Sequence, residues 1–244
     1  MQEDVRRALL ERLIDHAALF PPASMSMEEA LAEDRAARTS PYAWMLDRFV
    51  CPASKLGSLD ALDAPVSVVL DADLEAPAEA IEVRPRDTRD LAATVSRLRE
   101  LSPEVYVELP PDALPDAIDS IASAGGRAKL RCGGDVVPSV DQVAHVVVAC
   151  SEAGVVMKAT AGLHHPLRRG GEHGFLNLLF GAMYAHHGIH VVRDLLEHES
   201  FDALPLDELS SSAVRSARKT LFKGFGSCSW REPVDDLRAL GVLS

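Results

Sequence analysis

Lysine and cysteine are both scarce in this 244-residue chain, and each scarcity excludes something. Only 5 of the 25 basic residues are lysines, at Lys55, Lys129, Lys158, Lys219 and Lys223. Arginine supplies the rest, so a lysine inside an apolar run stands out, and Lys129 and Lys158 are in such runs. The 4 cysteines, Cys51, Cys132, Cys150 and Cys228, lie far apart without a C-x-x-C pair. That spacing argues against a disulfide framework or a zinc or redox pair and leads to the expectation of a reducing, cytoplasmic setting. Positive charge is also short: 25 basic against 37 acidic residues give a net charge of −12. Such a field repels nucleic acid and anionic membranes, so neither is expected as a partner. No apolar run approaches the roughly 18 residues of a membrane span. The opening MQEDVRRALLERLIDHAALF is charged and amphipathic, unlike a secretory signal.

What is present is a globular mixture, 47% hydrophobic and 25% charged. Short β-branched runs alternate with helical stretches, the pattern of βα units on a parallel sheet. The clearest strands are Val66–Leu70, Glu104–Leu109, Ala128–Cys132 and Val155–Thr160, with weaker ones at Leu13–His16, Arg48–Cys51 and Leu221–Gly226. Ser26 with Glu29 and Ser139 with Gln142 form capping boxes that open helices. Two more helices are expected over Thr88–Leu101 and over Asp112–Ala124, the latter stopped by Gly125-Gly126. A repeat of about 25–30 residues and this length predict a single (β/α)8 TIM barrel over residues 1–244. The segment Gly188–Ser216 shows no strand where a seventh would fall.

In such a barrel the chemistry sits at the carboxyl ends of the strands. Those ends carry Asp15 and His16, Cys51, Asp71 and Asp73, Glu108, Lys129 with Arg131, Lys158 with Thr160, and the turn Ser227–Ser229. Side chains alternate along a strand, so Lys129 and Arg131 share one face, and Lys158 and Thr160 share one face of the next. If those faces point inward, three cations converge, and a neighbouring cation with desolvation would lower the lysine pKa and favour a nucleophilic amine. The competing reading is that the lysines reach solvent or form a structural salt bridge with Glu108.

Around Lys158 the residues resemble the deoxyribose-phosphate aldolases, class I aldolases built on a (β/α)8 barrel. AKLRCGGDVVPSVDQVAHVVVACSEAGVVMKATAG is similar to their unit in which a lysine-bearing strand precedes a helix and K-T-S-T-G follows; here the motif is K-A-T-A-G. LIDHAALFPPASMSMEEA resembles their opening I-D-H-T-x-L, FVCPASKLGSL their C-V-N-P strand, and LFKGFGSCSWREPVDDLRALG their terminal R-F-G-A-S-S strand and closing helix. The resemblance implies that Lys158 is the imine-forming lysine, Lys129 the lysine one strand earlier and Asp15 the acid of the opening motif. It also implies a phosphate-binding turn at Gly226, Ser227 and Ser229. Two departures accompany it. Tyr106 stands where the family's fourth strand carries a proton-shuttling acid, with Glu108 two residues on, and the family's seventh-strand lysine followed by Gly-Gly is missing.

After Lys158 comes LHHPLRRGGEHGFLNLL, which gathers His164, His165, Arg168, Arg169, Glu172 and His173. These histidines suit acid–base work beside an imine, and the arginines suit an anion. The leading expectation is a Schiff-base lyase or aldolase acting on a small carbonyl compound, without a cofactor. Lys158, Lys129, Glu108 and Asp15 would be catalytic. Arg131, Thr160, His16, His164, His165, Arg168, His173, Gly226, Ser227 and Ser229 would bind substrate. A metal-dependent hydrolase or lyase centred on His164, His165 and His173 is one alternative, and a non-catalytic small-ligand barrel is another. Homo-oligomerisation is left open.

Overall fold

The computed structural model describes residues 1–59 and 62–243. Eight parallel strands close into one barrel in chain order. They are β1 (Ile14–His16), β2 (Leu46–Pro52), β3 (Val66–Val69), β4 (Ala80–Val83), β5 (Val105–Glu108), β6 (Arg127–Arg131), β7 (Met157–Thr160) and β8 (Phe222–Ser227). Helix α1 (Glu3–Leu10) precedes β1. The outer layer continues with α2 (Met27–Arg38), α3 (Leu91–Arg99), α4 (Leu114–Ser123), α5 (Val140–Glu152), α6 (Phe175–Met183), α7 (Ile189–Glu197), α8 (Ser211–Thr220) and α9 (Arg231–Ala239). The (β/α)8 expectation holds, and both capping boxes form: Ser26 Oγ accepts from the Glu29 N–H at 3.3 Å and Ser139 Oγ from the Gln142 N–H at 3.2 Å. No helix among the described residues is long and apolar enough to cross a membrane.

The strand that periodicity misses is β4, and it is not where the gap was expected. Residues 188–216 fold as α7, two short 3-10 turns and the start of α8. The segment AIEV, flanked by Pro77 and Pro85, supplies the missing strand, pairing with β3 through Val68 opposite Ile81 and with β5 through Glu82 opposite Tyr106. No helix separates β3 from β4, so the βα rhythm skips one beat there. One consequence is a renumbering: Lys129 lies on the sixth strand and Lys158 on the seventh, each one strand later than expected.

Strand alternation sorts the barrel. Ile14, Ile81, Val105, Val107, Ala128, Leu130, Met157 and Ala159 join the apolar layer between sheet and helices. Helix α6, apolar nearly all round, is buried along almost its whole length within that layer. The opposite faces fill the barrel interior, usually stocked with branched aliphatics. Here the interior holds charges.

Candidate active site

The interior is stacked in levels. At the amino-terminal end Glu104 accepts from Arg48 and from Arg127, both at 2.9 Å. The Tyr106 hydroxyl donates to Glu104 at 3.1 Å and accepts from Arg127 at 3.0 Å. The Tyr106 ring forms the next level, with Lys158 Nζ 5.2 Å from its centroid. Burial, and then the Glu104 charge, push the Tyr106 phenol up to about 12, so it stays protonated.

Above that ring sits a chain of alternating charges. Lys158 Nζ lies 2.5 Å from Asp15 Oδ2 and 2.5 Å from Glu82 Oε1. Lys129 Nζ lies 2.7 Å from Glu82 Oε2 and 2.7 Å from Glu108 Oε2. The remaining Glu108 oxygen accepts from Arg131 Nε at 3.0 Å and from Arg84. Asp15 is held by the Arg48 backbone N–H at 3.1 Å, and Ser67 Oγ donates to Glu82 at 2.6 Å. Glu82 and Glu108 each bridge cations delivered from different strands, whereas Asp15 holds Lys158 alone. Single-residue changes therefore reach across the barrel.

Burial by itself would push Lys158 toward the neutral amine, but Asp15 and then Glu82 outweigh it and hold the ammonium well above its ordinary pKa. This corrects the expectation of a lysine depressed by neighbouring cations. Lys129 and Arg131 do converge with Lys158, yet three carboxylates are threaded between them. Burial likewise opposes the Glu82 charge, and Lys129 with Lys158 overcomes it and keeps that carboxylate ionised. Glu108 follows the same logic: burial raises it, and Lys129 followed by Arg131 and Arg84 brings it down to about 2.

A cavity of about 640 Å³ opens over this chain at the carboxyl ends of the strands. Lys158, only 2% exposed, lies on its floor with Glu82, Lys129 and Glu108. Of the residues expected to bind substrate, Arg131, Thr160, His164, Gly226 and Ser227 line it. Gly133 and Gly162 bring the loops after β6 and β7 into backbone contact beside it. A Cβ on Gly133 would lie 2.6 Å from Gly162 Cα, and Gly162 sits at φ +64°.

The other expected residues are elsewhere. His16 has no exposed surface: β1 alternation sends Asp15 into the barrel and His16 outward, where its Nδ1 meets Asp34 at 3.0 Å. His165 turns to Asp236 of α9, with Nδ1 2.5 Å from Oδ2, and His173 Nε2 donates to the Pro138 carbonyl at 2.8 Å from a buried position. Arg168 is half-buried outside the cavity, its backbone N–H donating to Asn177 at 2.8 Å. Ser229 turns to the first turn of α9 instead, its Oγ accepting from the Glu232 N–H at 3.3 Å. The Ser227 hydroxyl donates to the Ser229 carbonyl at 2.6 Å, so the turn expected to hold phosphate spends its hydroxyls internally. Among the described residues no three His, Cys, Asp or Glu side chains form a group suited to a metal ion. His164, His165 and His173 each have a different partner, His164 pairing with Glu232 at 3.1 Å, which removes the geometry the metal alternative needs.

Sequence reasoning missed Glu82 and Arg84. The available signal was the two-residue alternation of Ile81 and Val83 around Glu82, which puts Glu82 and Arg84 on the face opposite the apolar pair. Comparison with protein-family models found no match to the chain, and comparison with curated proteins found none either.

Proposed function

We propose that the protein is a Schiff-base-forming carbon–carbon lyase or aldolase acting on a small carbonyl compound, with Lys158 as the imine-forming lysine. The observation that carries this reading is a buried lysine on the floor of a barrel-mouth cavity with two carboxylates at 2.5 Å. An ammonium cannot attack, so the adjacent acids are essential to the chemistry. Glu82 or Asp15 takes one proton from Lys158, and the freed amine adds to the substrate carbonyl. The proton then goes to the carbinolamine oxygen, which leaves as water, and the product is a protonated imine. For cleavage, a carboxylate removes the proton of the β-hydroxyl group and the carbon–carbon bonding pair flows into the iminium nitrogen. Reprotonation of the resulting enamine and hydrolysis return Lys158. Lys129 keeps Glu82 and Glu108 ionised and opposes a second positive charge beside the imine.

Borohydride reduction in the presence of the true substrate, or of small aldehydes and ketones, is expected to add a stable mass to Lys158. Trapping unchanged in Lys158→Ala would sink the assignment, and a label on Lys129 would move the imine one strand over. A non-catalytic ligand-binding barrel is the second reading, favoured by one observation: both lysines are fully paired within the interior. Ligand binding without borohydride labelling, and without turnover, would favour it.

A further inference from the structure

We infer that the substrate carries a single negative charge, a carboxylate, seated between Arg84 and Arg131, and that an apolar arm of the same molecule lies against the opposite wall of the cavity. The position of the carbonyl rests on the Schiff-base reading; the anion and the arm rest on the cavity's own charge and shape.

Arg84 directly follows β4, and Glu108 and Arg131 end β5 and β6, so they stand side by side along one rim. Both guanidiniums turn to the same Glu108 oxygen, and Lys129 occupies the other. Across the interior chain, Asp15, Glu82 and Glu108 face Lys158, Lys129, Arg84 and Arg131: three negative charges against four positive. Asp15 and Glu82 match the two lysines, and Glu108 matches one guanidinium, so one positive charge remains at this rim. The two arginine side chains are also the exposed members of the chain, at 64% and 42%, so their remaining N–H donors are open to a ligand. Planar guanidiniums suit a carboxylate, and the excess of one fits a monoanion better than a dianionic phosphate.

Glu172 also lines the cavity, from the loop between β7 and α6; with it the charges of the whole site balance at four of each sign, so the excess of one is confined to the Arg84–Arg131 rim. The wall made by the ends of β1 to β3 is different in kind. Phe20, Pro21, Pro22, Val50, Val69 and Leu70 line it without a charge. A polyhydroxylated chain would leave its hydroxyls without partners there, whereas a hydrocarbon arm would be well accommodated. An aliphatic 2-oxo acid has all three parts: carbonyl, carboxylate and apolar arm.

The test compares borohydride trapping of 2-oxohexanoate, hexan-2-one and dihydroxyacetone phosphate by the wild type, Arg84→Gln and Arg131→Gln. The expected result is at least about tenfold preference for 2-oxohexanoate over the neutral ketone, largely lost in either variant and reduced by salt. Equal trapping of 2-oxohexanoate and hexan-2-one overturns the carboxylate seat while leaving the Schiff base intact. Better trapping of dihydroxyacetone phosphate overturns both the monoanion and the apolar arm. If no carbonyl is trapped, the Schiff-base reading fails and calorimetry with hexanoate decides the seat on its own. Binding weakened about tenfold or more in Arg84→Gln sustains it, and no binding overturns it. Arg84 is mostly exposed, so that variant keeps its fold.

Discussion

Glu82 bridges both interior lysines and also accepts from Ser67, although it occupies a four-residue strand. Removing its carboxylate leaves Lys129 and Lys158 buried with one partner fewer each. Breaking a buried pair from one side typically costs about 3–5 kcal/mol, mostly because the surviving charge is uncompensated. Glu82→Ala is therefore expected to lose stability in that range in urea denaturation, and Glu82→Gln, which keeps the shape and some hydrogen bonding, to lose less. Equal stability of wild type and Glu82→Ala would mean that solvent reaches the lysines freely. His16 shows the same scale from the other side. Next in sequence to Asp15, it belongs to the helix layer, where Asp34 meets its Nδ1 and also accepts from Arg38 at 2.7 Å.

At the level of elements, the site depends on two loops that touch through backbone. Gly133 follows β6 and Gly162 follows β7, and neither has room for a side chain. Ala161 and Gly162 are consecutive left-handed residues, which turns the chain sharply just after Lys158. Gly162→Ala combines an unfavourable backbone angle with a collision, and it is expected to cost about 1–3 kcal/mol or more and to enlarge the gap beside Lys158. The denaturation midpoint measures the cost, and borohydride trapping measures the displacement of the lysine; a variant with wild-type values for both would show that the loops part easily. The elements most legible in the sequence were those with caps or long periodic runs, such as α2 and α5. Strand β4 was not legible because it is short, carries a glutamate at its centre and follows β3 without a helix.

For the whole molecule, a charged interior makes stability depend on pH at both extremes. Glu108 titrates at about 2 in the folded protein against an ordinary 4.5, so between those values the unfolded chain binds the extra proton and acid favours unfolding. Its stabilisation is full above about pH 4.5 and gone near pH 2. Lys158 works in the opposite sense. Its folded pKa is raised above the ordinary 10.5, so its contribution is full below that value and declines as pH climbs beyond it. Burial lowers His173 from its ordinary 6.5 and raises the Cys132 and Cys150 thiols from 9 to about 12, so the expected profile is a plateau drawn in to between about pH 6.5 and 9. Denaturation midpoints measured against pH would test it, and Glu108→Gln should flatten the acid limb; an unaltered acid limb would assign that loss to other carboxylates.

The sequence by itself determined the barrel, because apolar periodicity and caps act locally and need no partner to be read. It also identified Lys129, Lys158, Glu108, Asp15 and Arg131, because alternation and strand ends are local too. Only the tertiary structure decided the charge state of Lys158 and the membership of the site. Those depend on which side chains meet across a closed interior, where Asp15 from β1 and Glu82 from β4 reach a lysine on β7. Sequence distance carries no record of that meeting, and the low-dielectric interior makes it dominate the electrostatics. The scarcity of lysine pointed to two residues that share Glu82 in the barrel interior. What surrounds them was set by barrel closure.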